Sequence, residues 1–452
     1  MLANLLDRLQ WDRSLAYALI TRGWQAISGP ITIIFLINSL ELAEQGIYYT
    51  IVGIVGIQAY FELGLLNVLV SQSGHASAAI KQAEVKAIES DTPLDLDPDW
   101  LQATARMRDL IRSSFRWFGS AAFIYTLVAL LFGWFTLADS ETTWRWPLIA
   151  TVPVAAIAIA FAPALSILEG AGYRDLIYRY RLIQMILGSL AVWLALTSGL
   201  KLWALMFASL IQSVISIYVV LVTKRDFFKK MYEIKQVSSR FVWMREVVPV
   251  QWRVALISAS FHFATQFFTI IICKFHSDKE AAPLGMTLSV TTAIQMLSLA
   301  WVQTKYPMVA AHHGSGNREL AGTVWRRTAI ISTCLLLLGF SALTLFVSTL
   351  PILGRGLEER FITPFQVALL GIGGLANHIA AVQGFYVLAM KAKPLLIASL
   401  IGSIPTGLAV WIGGYLYGTD GVLIGYAAGM GLFLAPAHSW AYYQFRKNPQ
   451  IA

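Results

Sequence analysis

Charge is scarce in this chain. Asp, Glu, Lys and Arg make up 13% of its 452 residues, about half the share that covers a typical soluble domain, while 57% are hydrophobic and the mean hydropathy is +0.63. A large soluble enzyme is therefore excluded. Cysteine is nearly absent as well: Cys273 and Cys334, both beside or within apolar runs, supply neither a disulfide framework nor metal-site spacing, so no metal and no cofactor is expected. The patterns GxxxxGK[ST], HExxH, GxSxG and CxxC are missing, which removes direct ATP hydrolysis and the common hydrolytic chemistries. GSGN at 314–317 follows no strand and reads as a turn.

What is present is a series of apolar runs, each near the ~20 residues that cross about 30 Å of hydrocarbon. Twelve are expected, over 14–37, 46–70, 115–137, 147–168, 180–198, 202–222, 250–272, 284–304, 328–350, 363–389, 395–417 and 421–443. The first is too long, and lacks a following small-residue cleavage site, to be a cleaved signal. The fold class expected is thus an all-α polytopic membrane protein. The excess of 34 Lys and Arg over 25 Asp and Glu would suit a nucleic-acid binder, but the positive residues lie in loops. Sorted between the two sides that twelve spans create, they divide 28 to 6, with only Arg145, Lys201, Lys274, Lys279, Arg355 and Arg360 on the poorer side. Positive residues are retained in the cytoplasm, which predicts a multi-pass membrane protein with cytoplasmic termini and no nucleic-acid partner.

The longest connections, 71–114 and 223–249, both fall on the positive side and are expected to be partly helical. The second lies midway along the chain, which divides it into six-span lobes over 1–222 and 250–452 with a cytoplasmic linker over 223–249. Its KRDFFKK start reads as an anchor on anionic headgroups. Loops on the opposite side are too short to hold an acceptor, and no catalytic cluster is recognisable, so an enzyme is not expected.

Ionisable and polar residues inside spans are the candidate functional groups, because burying them in hydrocarbon is costly. Arg22 and Glu62 each lie about eight residues into their spans, roughly 12 Å deep at 1.5 Å per residue. They form either an ion pair within the first hairpin or a substrate- or proton-handling site. Ala18, Arg22, Ala26 and Gly29 share a face, leaving space for an anionic headgroup beside the guanidinium, and Gly29-Pro30 is expected to bend the helix. The seventh span repeats the design with Arg253, which either contacts phosphate or snorkels to the interface. On the same span His262 and Gln266 are either sugar contacts or internal hydrogen bonds. Gln58, Gln295, Gln303, His378 and Gln383 read mainly as interhelical hydrogen bonds, with Gln58 also a substrate candidate, and Gly421, Gly425 and Gly429 as a close-packing ridge.

The segments RGWQAISGPITIIFLINSLELAEQGIYYTIVGIVGIQAYFELGL, QWRVALISASF, PLGMTLSVTTAIQMLSLAWVQTKYP and GFYVLAMKAKP resemble the bacterial polysaccharide-biosynthesis membrane proteins, O-antigen flippases among them, of the multidrug, oligosaccharidyl-lipid and polysaccharide exporter superfamily. HFATQFFTIIICKFHSDKE departs from the family's aromatic and Gly/Pro character around the seventh span. The resemblance implies two pseudo-symmetric lobes around a central, commonly cationic cavity, which Arg22 and Arg253 can supply. It also implies alternating-access movement of a lipid-linked oligosaccharide, expected to be undecaprenyl-diphosphate-linked, to the outer leaflet. Membrane lipids and polysaccharide-assembly proteins would be its partners, and the bacterial inner membrane its location. A guanidinium suits a diphosphate because its planar fork donates two parallel hydrogen bonds and keeps its charge. The alternatives are a cation-coupled multidrug exporter with Glu62 as the coupling carboxylate and, from another class, a membrane glycan ligase or polymerase.

Overall fold

The computed structural model describes residues 13–62, 64–233, 243–354, 356–389 and 395–447. Arg355, residues 234–242 of the linker and residues 390–394 of the GFYVLAMKAKP segment lie outside the described residues. Every regular element described is helical. In hydrocarbon a span must satisfy its backbone polar groups internally, and a helix does so within one segment. In chain order the helices are α1 (Arg13–Ser39), α2 (Leu42–Gly56), α3 (Ala59–Glu62), α4 (Leu65–Glu89), α5 (Pro98–Leu137), α6 (Arg145–Gly170), α7 (Arg174–Thr197), α8 (Ala204–Tyr218), α9 (Arg225–Glu233), α10 (Trp243–Glu246), α11 (Val248–Thr265), α12 (Phe268–Phe275), α13 (Asp278–Gly314), α14 (Arg318–Leu353), α15 (Pro364–Ala389), α16 (Leu395–Gly429) and α17 (Ala435–Lys447).

Among the described residues nine helical segments are long and apolar enough to cross a membrane, and eleven if each of two bent pairs is one span. The segment Leu395–Lys447 is itself two spans. Gly418 leaves the helical region at φ 61°, ψ −143°, a conformation that glycine adopts without a Cβ penalty, and the chain doubles back. A β-carbon on Gly421 would lie 1.9 Å from the Gly413 carbonyl oxygen, and one on Gly425 2.6 Å from that of Ala409. The glycine ridge thus brings two antiparallel helices into backbone contact, as expected. Counting this hairpin as two restores twelve.

The expected bend at Gly29-Pro30 is not a break: α1 runs helical through Pro30. The breaks fall in the second span, bent by 41° between Glu62 and Leu65, and in the seventh, bent by 46° between Thr265 and Phe268. Part of the long 71–114 connection is helical extension. Pro98 opens α5, where a missing N–H costs nothing, and the Asp97 carboxylate caps it by accepting from Trp100 N at 2.7 Å. GSGN is a turn, with Gly316 at φ 83° and Asn317 Oδ1 accepting from Leu320 N at 3.1 Å to start α14.

Packing divides the chain into two compact units. The first holds the chain up to Ser28, Ile57–Gly133 and Arg145–Ala255; the second holds Gly29–Gly56, Trp134–Trp144 and the chain from Leu256 on. In the first unit Trp24 Nε1 donates to Ser189 Oγ at 3.0 Å and its ring lies 6.0 Å from that of Trp193, fixing α1 to α7. In the second, Val302, Val309, Trp325, Val382 and Phe445 form a core where α13, α14, α15 and α17 converge.

Candidate functional site

Four of the expected site residues lie in the first unit: Arg22, Gln58, Glu62 and Arg253. Arg22 stands two residues before Trp24, about 200° round the helix, so it faces away from α7 and is exposed. Gln58 sits in the break between α2 and α3, where its carbonyl accepts from Phe61 N at 2.9 Å and Glu62 N at 3.1 Å. Glu62 ends α3 and is half-buried. The break rests on α11. Gly64, at φ 71°, has no room for a β-carbon, which would lie 2.6 Å from Val254 Cγ1. The turn carrying Gln58 and Glu62 is therefore held one residue from Arg253, whose exposed guanidinium lies 5.5 Å from the Trp252 ring.

His262 and Gln266 belong to the second unit. The Ser258 carbonyl lies 2.7 Å from His262 Nδ1; a carbonyl only accepts, so the imidazole proton is on Nδ1. Gln266 lies in the break of the seventh span. A β-carbon on Gly56 would meet its Nε2 at 2.2 Å, so the carboxamide rests on the last residue of α2. The bend of the seventh span thus lies against the end of α2. A broken helix leaves backbone groups outside the helical ladder, the arrangement in which carriers place binding sites. Composition points to neither Gly56 nor Gly64, because their roles depend on neighbours distant in sequence.

Toward the charge-poor end expected to be external, the second unit carries a polar seal. Gln45 Nε2 donates to the Ala282 carbonyl at 3.0 Å, and Arg360 Nη1 donates to Gln45 Oε1 at 2.8 Å and to the Leu40 carbonyl at 2.9 Å. Lys274 pairs with Asp139 at 2.8 Å, while Ser140 and Thr142 hydroxyls donate to Asp278 Oδ2 at 3.1 and 3.3 Å. The approach of α2 to α13 needs Gly46 and Gly285: a β-carbon on Gly46 would stand 1.7 Å from the Asp278 carbonyl oxygen, and one on Gly285 2.4 Å from the Tyr49 side chain. In the sequence Lys274 and Arg360 count only as charges on the poorer side, and their partners give no signal there.

Beside the seal lies an apolar cavity of about 430 Å³ lined by Pro30, Ile33, Ile37, Leu343, Phe346 and Phe361, among others. His378 joins helices, as expected. Ser332 Oγ donates to the Ser298 carbonyl at 2.7 Å and so accepts from His378 Nε2 at 3.1 Å, tying α13, α14 and α15 together. Gln383 and Ser439 join α15 to α17, exchanging hydrogen bonds at 2.9 and 3.2 Å.

This arrangement of helices has counterparts among solved structures. The inward-facing conformation of a multidrug resistance MATE family transporter of the MOP superfamily matches with a TM-score of 0.59 at 15% identity, covering 94% of this chain and 99% of that one. An outward-facing conformation of such a transporter matches with a TM-score of 0.59 at 15% identity, covering 97% of each chain. A MATE protein in its bent conformation matches with a TM-score of 0.56 at 13% identity over 98% of this chain. This chain has the MATE fold. The equal scores for inward- and outward-facing forms mean that the likeness carries no assignment of conformational state. No protein-family profile matches the chain, and no curated protein matches it.

Proposed function

We propose that the protein is a membrane carrier that exports an amphipathic organic substrate by alternating access, coupled to a cation gradient through Glu62. The observation that supports this most directly is the end-to-end fold likeness to multidrug resistance transporters, covering 97% of both chains. The polar seal fits it too, since its hydrogen bonds and ion pair are bonds that water can replace when the end opens. The apolar cavity beside the seal has the character that would accommodate the hydrophobic part of such a substrate. The test is efflux of an amphipathic cationic dye from vesicles containing the purified chain. Dye movement that needs the gradient and is lost in Glu62→Gln is expected; movement indifferent to the gradient or to Glu62 would exclude this reading.

A second reading is a flippase for a lipid-linked oligosaccharide, with an undecaprenyl-diphosphate carrier, in surface polysaccharide synthesis. The exposed guanidinium groups of Arg22 and Arg253 on α1 and α11 favour it. They repel a cation but pair bidentately with phosphate oxygens. Under this reading Gln58, His262 and Gln266 are polar contacts to the sugars. Surface glycan lost in an Arg22→Ala, Arg253→Ala double mutant at normal protein level is the expected result; undiminished glycan rules the flippase out.

A further inference from the structure

We propose that a pocket in the second unit, at the end of the bundle where positive charge accumulates, binds the headgroup of an anionic phospholipid. The pocket has a volume of about 620 Å³ and lies among α14, α15 and α17. Three arginines line it, Arg318, Arg326 and Arg446, against one carboxylate, Glu319, which leaves a net charge of +2. Among the described residues none of the three arginines makes an ion pair. Each therefore keeps its charge available to a ligand.

The lining is graded along the helix. Arg318 opens α14, Arg326 lies roughly 12 Å further along it and Thr333 roughly 22 Å along, at 1.5 Å per residue. Beyond Arg326 the wall turns apolar with Ala329, Ile330 and Ile379, and the two isoleucines are 53% and 36% exposed. A cationic mouth that leads to exposed apolar side chains on spanning helices is the polarity profile of a phospholipid, phosphate outermost and acyl chain inward. A soluble phosphate compound has no use for the apolar part.

The site is also held in shape. The Trp325 ring lies 5.6 Å from Tyr386, Tyr386 lies 5.3 Å from Tyr442, and the Arg446 guanidinium stands 5.9 Å from the Tyr442 ring. This aromatic ladder rests on the core through the buried Trp325. Its last rung positions a guanidinium, which favours aromatic faces. The Gln383–Ser439 hydrogen bonds fix a neighbouring wall. Gly322 leaves the interior open, since a β-carbon there would meet nothing within 4 Å.

The experiment is native mass spectrometry of the full-length purified chain titrated with phosphatidylglycerol, phosphatidylcholine and inorganic phosphate. The wild type is expected to prefer phosphatidylglycerol about tenfold, a preference lost in Arg326→Gln, Arg446→Gln and kept in Arg327→Gln, which changes a charge outside the pocket. Gly322→Leu, placed in open space, should also lose it by occupying the pocket while retaining the fold. Retention of the preference by both pocket variants would overturn the proposal. So would displacement of the lipid by inorganic phosphate, which would mark a soluble phosphate ligand.

Discussion

A β-carbon on Gly46 would lie 1.7 Å from a backbone carbonyl oxygen of α13, and no rotamer change can relieve a clash with backbone. Gly46→Ala should therefore push α2 from α13 and lower stability by about 1–3 kcal/mol, as overpacking does. Gly119→Ala, where the new methyl group meets nothing within 4 Å, should leave stability equal or raise it by up to about 1 kcal/mol. The thermal midpoints of the two purified variants make the comparison, and equal midpoints would mean that α2 does not pack closely on α13. The Ser332–His378 pair gives a second test at this scale. Ser332→Ala leaves the buried Nε2–H of His378 without its acceptor and should cost about 1–3 kcal/mol. An unchanged midpoint would show that the imidazole has another acceptor.

At the scale of elements, what could be read from the sequence depended on whether neighbours were needed to make it. Spans need only length and composition, so twelve apolar runs were readable. Breaks were not. Pro30 removes a single hydrogen bond, and α1 continues through it, whereas the seventh span breaks at Thr265-Gln266-Phe267 without proline or glycine. What distinguishes that position is tertiary: Gln266 lies over Gly56, a juxtaposition of residues 210 positions apart. The site candidates divide in the same way. Arg22, Glu62 and Arg253 stand out in the sequence as charges in apolar runs, while the seal residues Gln45 and Asp278 acquire their roles from partners across the fold. Gly56→Leu is accordingly expected to displace Gln266 and reduce transport with protein still present in the membrane, measured by dye efflux beside protein level. Full efflux from Gly56→Leu would mean that the seat of Gln266 on the end of α2 has no functional weight.

For the whole molecule, carrier function requires that α2 part from α13 at the charge-poor end. Beside their close packing, polar bonds hold that end. The Asp139–Lys274 pair among them is partly exposed, with side-chain exposures of 80% and 18%, and an ion pair of this kind contributes about 0–1 kcal/mol. The decisive measurement is substrate movement through a chain carrying Gln45→Cys and Ala282→Cys, with Cys273 and Cys334 replaced by serine, before and after oxidative cross-linking and again after reduction. Transport is expected in the reduced protein, none in the cross-linked protein and recovery on reduction. Transport at an undiminished rate through fully cross-linked protein would contradict it.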